Sequence, residues 1–132
     1  MVRLGLVLVG TATAFAAIDL AHKAGSDTEY FHARSPAYVG VVLGLALLWS
    51  VGILLTRSLS IALSGGVLLG GGAGNLLSLA FWQGVPNPIE VSPIAFNLAD
   101  VFVLAGFGLV AASTVLFATR NPDRLHEPVG LR

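Results

Sequence analysis

The sequence predicts an all-α integral membrane protein, organised as a bundle of four transmembrane helices. Composition is the first observation that indicates this fold class. Of the 132 residues, 55% are hydrophobic and only 11% are charged, whereas an average soluble domain has about 25% charged residues. The second observation is that four apolar segments are each long enough to cross a hydrocarbon core of about 30 Å as a helix. A segment of this kind satisfies its backbone hydrogen bonds in lipid by forming a helix, so four helical spans are expected.

The four predicted spans follow one another with short connections. In chain order they are about Leu4–Ala21, Tyr38–Leu55, Ile61–Phe81 and Ala95–Ala118. We therefore expect one membrane domain of residues 1–119 and a short charged tail of residues 120–132. A mean hydropathy of +0.85 for the whole chain agrees with this organisation.

Basic residues predict the orientation of the bundle. Lys23 and Arg34 lie in the connection between the first and second spans. The other five basic residues lie on the opposite side of the membrane: Arg3, Arg57, Arg120, Arg124 and Arg132. Because cytoplasmic loops carry the excess of lysine and arginine, this distribution predicts that both termini are cytoplasmic. The connections at about 21–37 and 82–94 are then expected to face outward.

Composition also excludes several classes of function. The chain has no cysteine, so disulfides, thiolate catalysis and cysteine-based metal sites are excluded. Its net charge is zero, which gives no indication of a nucleic-acid partner. No cofactor is indicated by any motif.

Small residues recur at intervals of four along the third span, at Ala62, Gly66, Gly70, Gly74 and Ser78. Residues four apart share one face of a helix, and small side chains let another helix approach closely in lipid. We expect this stripe to be a helix-packing surface. Gly40 and Gly44 on the second span have the same spacing and are expected to offer a partner surface.

Three polar residues interrupt the apolar spans. A carboxylate such as Asp100 costs about 2.5–3.5 kcal/mol at the centre of the membrane and less near its boundary. Asp100 lies close to the start of the fourth span, where the helix N-terminus favours an anion. Asn97 precedes it by three residues, a spacing that suits a helix cap. Asn75, inside the third span, is expected to form a hydrogen bond to another helix.

Three segments together resemble the signal peptidase II family, the intramembrane aspartyl peptidases that trim bacterial prolipoproteins. Gly70–Leu79 reads GGGAGNLLSL and is similar to the family's GGAxGNxxDR motif, and Phe96–Asp100 reads FNLAD, which matches FNxAD. Asp19–Lys23 is similar to the family's DQxTK segment. The three occur in the family's order, each at the outer end of its expected span. The resemblance implies a signal peptidase II-like four-helix fold and a place in the bacterial plasma membrane.

The resemblance also implies roles for individual residues. Asp100 is then one of two catalytic aspartates, Ser78 stands in place of the other, and Leu79 replaces the arginine that follows it. Four polar residues are then expected to support the site: Asn75, Asn97, Asp19 and Lys23.

Two departures from the family pattern favour a function without catalysis. An aspartyl peptidase needs one carboxylate as base and one as acid, and a lone Asp100 cannot fill both roles. In addition, the loop at residues 25–36 lacks the asparagine–glycine–alanine–phenylalanine signature of the family's substrate region. We therefore expect a catalytically inactive accessory or binding subunit, whose partners are the lipid bilayer and another integral membrane protein or a lipoprotein.

Other functions stay open at this point. An active lipoprotein peptidase with a rearranged dyad would need a second carboxylate such as Glu90, whose loop is held extended by three nearby prolines. A pair of Ser78 and Lys23 would resemble serine–lysine hydrolases. A small transporter or channel component would need an aqueous path, for which Asp19, Asn75 and Asp100 are the candidate residues. A metal site would need ligands, for which His22, His32 and Asp19 are the candidates.

Overall fold

A computed structural model, which describes residues 1–122, contains four long helices. They are α1 (Val2–Ala24), α2 (Pro36–Leu55), α3 (Leu59–Phe81) and α4 (Leu98–Arg120). All four are long and apolar enough to cross a membrane, which confirms the predicted all-α class and the four predicted spans. The expected tail at residues 120–132 lies, from residue 123 onward, outside the described residues.

Capping residues define where the helices begin. Ser35 accepts a hydrogen bond from the backbone of Tyr38, and Pro36 occupies the first turn of α2. Ser58 accepts one from Ile61 at the start of α3. Side-chain oxygens at these positions satisfy N–H groups that have no partner within the helix. The starts of α2 and α3 therefore lie two residues before the predicted spans.

Four short strands lie at one end of the bundle, which we call the hairpin end (residues 25–35 and 82–97). They are β1 (Phe31–His32), β2 (Val85–Pro86), β3 (Ile89–Val91) and β4 (Ile94–Phe96). β1 pairs with β2 and β3 pairs with β4, both antiparallel. Because residues 94–96 form a strand, α4 begins at Leu98 and not at Ala95 as predicted.

The predicted stripe of small residues on α3 packs against α1. A Cβ atom added at Gly66 would lie 2.5 Å from Cβ of Thr11, and one at Gly70 would lie 2.7 Å from the carbonyl oxygen of Ala12. Such distances leave room only for hydrogen, so glycine is required for this approach of the two backbones. Gly74 belongs to the same stripe and contacts Asp19.

Helix α4 packs against a neighbouring face of α3 through other glycines. A Cβ at Gly71 would lie 2.5 Å from the carbonyl oxygen of Ala99, and one at Gly106 would collide with the backbone of Leu68. The central helix α3 is therefore in close contact with both α1 and α4.

Helix α2 is held much more loosely, and here the sequence prediction was wrong. No atom lies within 4 Å of a Cβ built at Gly40 or Gly44, so these glycines do not form the expected packing surface. Ile53, near the end of the helix, is its one buried residue and packs with Leu8 and Ile61. Helix α2 is thus fastened at its C-terminal end, and the rest of its surface is largely exposed.

Candidate functional site

A polar cluster of Asp19, Lys23, Asn75 and Ser78 lies between α1 and α3, next to the hairpin end of the bundle. Lys23 is at its centre. Its Nζ lies 2.7 Å from Oδ2 of Asp19 and donates hydrogen bonds of 2.9 Å to Oδ1 of Asn75 and to Oγ of Ser78. The ammonium group of Lys23 thus has one ion pair and two hydrogen bonds, to three different side chains.

Ser78 is completely buried and uses its hydroxyl in both directions. The hydroxyl donates to the carbonyl oxygen of Gly74 at 2.7 Å and accepts from Lys23. A serine nucleophile needs a base that takes its proton, whereas Lys23 donates its own. The structure therefore brings together the serine and lysine whose proximity the sequence left open, and it places both in one buried hydrogen-bond network.

Gly74 makes room for the carboxylate at the edge of this cluster. A Cβ at position 74 would lie 2.6 Å from Oδ2 of Asp19. Asp19 and Lys23 are four residues apart on α1, the spacing that places two side chains on one helix face. Gly74, the last glycine of the stripe, thus leaves space both for helix α1 and for the ion pair of Asp19 and Lys23.

Asp19 also connects α1 to the start of α4. Its Oδ1 accepts a 2.8 Å hydrogen bond from the backbone nitrogen of Ala99. Asn97 is the N-cap: its side chain accepts from the backbone nitrogen of Asp100, and its own backbone nitrogen donates to Oδ2 of Asp100. This reciprocal capping box confirms the predicted cap at Asn97. The first turn of α4 is consequently held by one residue of its own helix and one residue of α1.

Asp100 has two hydrogen bonds and no cation. Its Oδ1 accepts from Nδ2 of Asn75 at 2.9 Å, and its Oδ2 accepts from the backbone of Asn97 at 3.2 Å. Within residues 1–122, the ion pair of Asp19 with Lys23 is the one salt bridge present. Asn75 therefore links the ion pair of Asp19 and Lys23 to Asp100, because it accepts from Lys23 and donates to Asp100.

Sequence reasoning missed Asn87 and did not place His32 beside it. Asn87 is buried and accepts from Nδ2 of Asn97 at 2.7 Å. The side-chain oxygen of Asn97 accepts from the backbone of Asp100, so its Nδ2 is the group that donates to the oxygen of Asn87. Nδ2 of Asn87 then donates to Nδ1 of His32. The chain of hydrogen bonds ties strand β1 to the start of α4. A lone Asn between two loop prolines carried no signal of this role.

A groove with a volume of about 500 Å³ lies between α2, α3 and α4. From α2 it is lined by residues at helical spacing: Tyr38, Val42, Ala46 and Trp49. From α3 and α4 it is lined in the same way by Leu68, Gly72, Leu76, Val103 and Phe107. Asn75 and Asp100 line the groove at the hairpin end, and Asp100 is the one carboxylate in its wall.

Glu90 lies elsewhere. It is exposed on strand β3 and lines a separate depression together with Asp27, Glu29 and Tyr30. The structure therefore does not bring Glu90 into the groove with Asp100. In the described part of the chain, no group of three His, Asp or Glu side chains is placed to hold a metal ion, and His22, His32 and Asp19 do not form one.

A protein-family model described as Signal peptidase (SPase) II matches residues 6–116. No curated protein and no solved structure matches the chain significantly. Since the family model covers most of the chain, this protein belongs to the signal peptidase II family.

Proposed function

We propose that this member of the signal peptidase II family is a non-catalytic membrane protein that holds a transmembrane helix of a partner membrane protein in the groove between α2, α3 and α4. The family's peptidases divide acid and base chemistry between two carboxylates, as the resemblance of the motifs implied. The observation that carries the proposal is that Asp100 is the one carboxylate in the groove wall.

The other carboxylates near the hairpin end are occupied or distant. Asp19 is fully buried, ion-paired with Lys23 and bonded to the backbone of Ala99. Glu90 is exposed in a different depression. Position 78 supplies no carboxylate, since it holds Ser78, whose buried hydroxyl is bonded to Lys23 and Gly74. Without an acid–base partner, an enzyme typically loses 10²–10⁴ in rate or more.

The groove suits an apolar helix in shape. Groove residues on all three helices recur at intervals of three or four, so three ridged helix surfaces surround one unfilled space. At Gly72 the floor of the groove is open, with no atom within 4 Å of a Cβ built there. A small residue at a helix interface lets two backbones approach closely in lipid.

We place the protein in the bacterial plasma membrane, with both termini in the cytoplasm and the hairpin end outside. The basic residues support this orientation. Arg3, Arg57 and Arg120 lie at the end of the bundle that carries the N-terminus, and Lys23 and Arg34 lie at the hairpin end. Lys23 is already neutralised by Asp19, which leaves the excess of free basic charge at the N-terminal end.

A first experiment tests the absence of catalysis. Purified protein in vesicles is incubated with a labelled lipid-modified prolipoprotein, and the products are separated by size. We expect no cleavage by the wild type or by Asp100→Asn. Cleavage by the wild type that Asp100→Asn abolishes would establish an active lipoprotein peptidase and reject the proposal.

A second experiment tests the groove with a matched pair of substitutions. A photoreactive amino acid at position 76 in the groove is used to crosslink neighbours in native membranes. Gly72→Leu fills the groove, whereas Gly108→Leu adds the same side chain where no atom lies within 4 Å and outside the groove lining. We expect a defined crosslinked membrane protein that Gly72→Leu removes and Gly108→Leu leaves. Equal crosslinking in both variants would contradict a partner helix in the groove.

A further inference from the structure

We propose that the groove selects a partner helix that carries one lysine or arginine side chain at the depth of Asp100. This inference rests on the proposed function, since it concerns the chemistry of the helix that the groove holds.

The first argument is the charge of the site. Asp19 and Lys23 form an ion pair at 2.7 Å, so with Asp100 these three groups carry a net negative charge. Its carboxylate sits at the third position of α4, near the positive end of the helix dipole, and accepts from the backbone of Asn97. A cation placed beside this half-buried anion in a mainly apolar wall would stabilise it.

The second argument is the unused hydrogen-bonding capacity of Asp100. A carboxylate has about four acceptor positions, and Asp100 uses two of them. Asn75, which lies beside it in the groove wall, has its oxygen bonded to Lys23 and its amide bonded to Asp100. Asp100 is thus the charged group in this wall, and it has acceptor positions left for a ligand.

Within residues 1–122, no lysine or arginine forms an ion pair with Asp100, and Lys23 is linked to it through Asn75. No lysine or arginine lines the groove. The guanidinium of Arg34 lies 4.8 Å from the centre of the Tyr38 ring, at the mouth of the groove, and forms no ion pair with Asp100. A cation in direct contact with Asp100 is therefore one that an occupant of the groove would bring.

A basic side chain on a helix meets this requirement at the right depth. Lysine and arginine extend their charged groups along a helix toward the membrane boundary while their stems stay in apolar contact. Asp100 lies where α4 emerges at the hairpin end, and the remainder of the wall is mainly apolar. The same helix can therefore place an apolar ridge on α3 and a cation on Asp100.

The test uses the full chain in phosphatidylcholine vesicles and three synthetic leucine–alanine helices of about 20 residues, long enough to span the bilayer. The helices differ at one position at the depth of Asp100, which is Lys, Leu or Glu. Binding is measured by energy transfer from Trp49, which lines the groove, to a dansyl group on the helix, in a Trp82→Phe background.

We expect the Lys helix to bind about tenfold or more tightly than the Leu helix, and the Glu helix to bind more weakly than both. The advantage of the Lys helix is lost in Asp100→Asn and kept in Glu90→Gln, the matched change of an exposed carboxylate outside the groove. Comparing the three helices on the wild type tests the charge even where a substitution at Asp100 disturbs the cap of α4.

Two results would overturn the inference in distinguishable ways. If the Lys, Leu and Glu helices bind equally and Gly72→Leu blocks all three, selection by charge is rejected and the helix-holding function stands. If Gly72→Leu blocks none of them, the proposed function fails as well. Displacement of the Lys helix by phosphatidylethanolamine, dependent on Asp100, would make a lipid ammonium the occupant and also reject the inference.

Discussion

The polar side chains on the two sides of α3 differ in how they are paired. Toward α1, glycines bring the helices into contact, and Lys23 forms an ion pair with Asp19 and hydrogen bonds to Asn75 and Ser78. Toward α2, the groove is open, and Asp100 has acceptor positions left and no cation. The comparison teaches that a polar residue in a membrane helix is structural where its partners are complete, and is a candidate for binding where they are incomplete.

The largest expected effect is on the closed side. Asp19→Ala leaves the ammonium of Lys23 buried without its counter-charge and the backbone of Ala99 without its acceptor. Breaking one partner of a buried ion pair costs about 3–5 kcal/mol. We expect a large fall in the thermal unfolding midpoint in detergent. Asp27→Ala, at an exposed carboxylate, is the control, and equal midpoints for the two variants would contradict a structural role for the cluster.

Two glycines on opposite sides of α3 give a sharper comparison. Gly74→Ala would place a methyl group 2.6 Å from the Asp19 carboxylate, whereas Gly72→Ala meets no atom within 4 Å. We expect the first to lower the free energy of unfolding by about 1–3 kcal/mol and the second to raise it by up to about 1 kcal/mol. Chemical unfolding of both variants under the same conditions measures this difference. Similar values at the two positions would mean that the sides are not packed differently.

Ser78→Ala removes one acceptor of Lys23 without removing its counter-charge. We expect a loss of about 1–2 kcal/mol in the free energy of unfolding. Binding of the leucine–alanine helices should stay unchanged, because Ser78 does not line the groove. A variant of wild-type stability that no longer binds these helices would assign Ser78 to the groove, against the structure.

The smallest effect is expected for Asp100→Asn. The substitution removes an anion that has no cation, and it weakens the favourable interaction with the N-terminus of α4, worth about 0.3–1 kcal/mol. We expect a change in the free energy of unfolding below about 1 kcal/mol, together with the loss of preference for a basic helix. The contrast with Asp19→Ala is the decisive readout, and a loss as large as for Asp19 would show that Asp100 is a structural residue.

Much of the site could be predicted from local patterns. The spacing of Asn97 and Asp100 predicted a helix cap, and the intervals of four on α3 predicted the surface that contacts α1. The same pattern on α2 predicted a packing surface at Gly40 and Gly44 and was wrong. Spacing shows that small residues share a face, but it does not show whether another helix covers that face.

The contacts that define the site could not be predicted in this way. Lys23 reaches Asn75 and Ser78 across 52 and 55 positions of the chain, and Asp19 reaches Ala99 across 80. Asn87 enters through a hydrogen bond to Asn97 that depends on how residues 82–97 fold back over the bundle. These pairings depend on the rotation of each helix about its axis and on the depth at which neighbouring helices are aligned.

The sequence by itself determined the four helices, because apolar segments of this length leave the backbone no other way to satisfy its hydrogen bonds in lipid. It also determined which residues are polar within them. The tertiary structure decided which of those polar groups are matched and which are left facing a groove. The physical reason is that helix packing in a membrane follows close contact between small residues, and that contact is completed on the α1 side of α3 and left open on the α2 side.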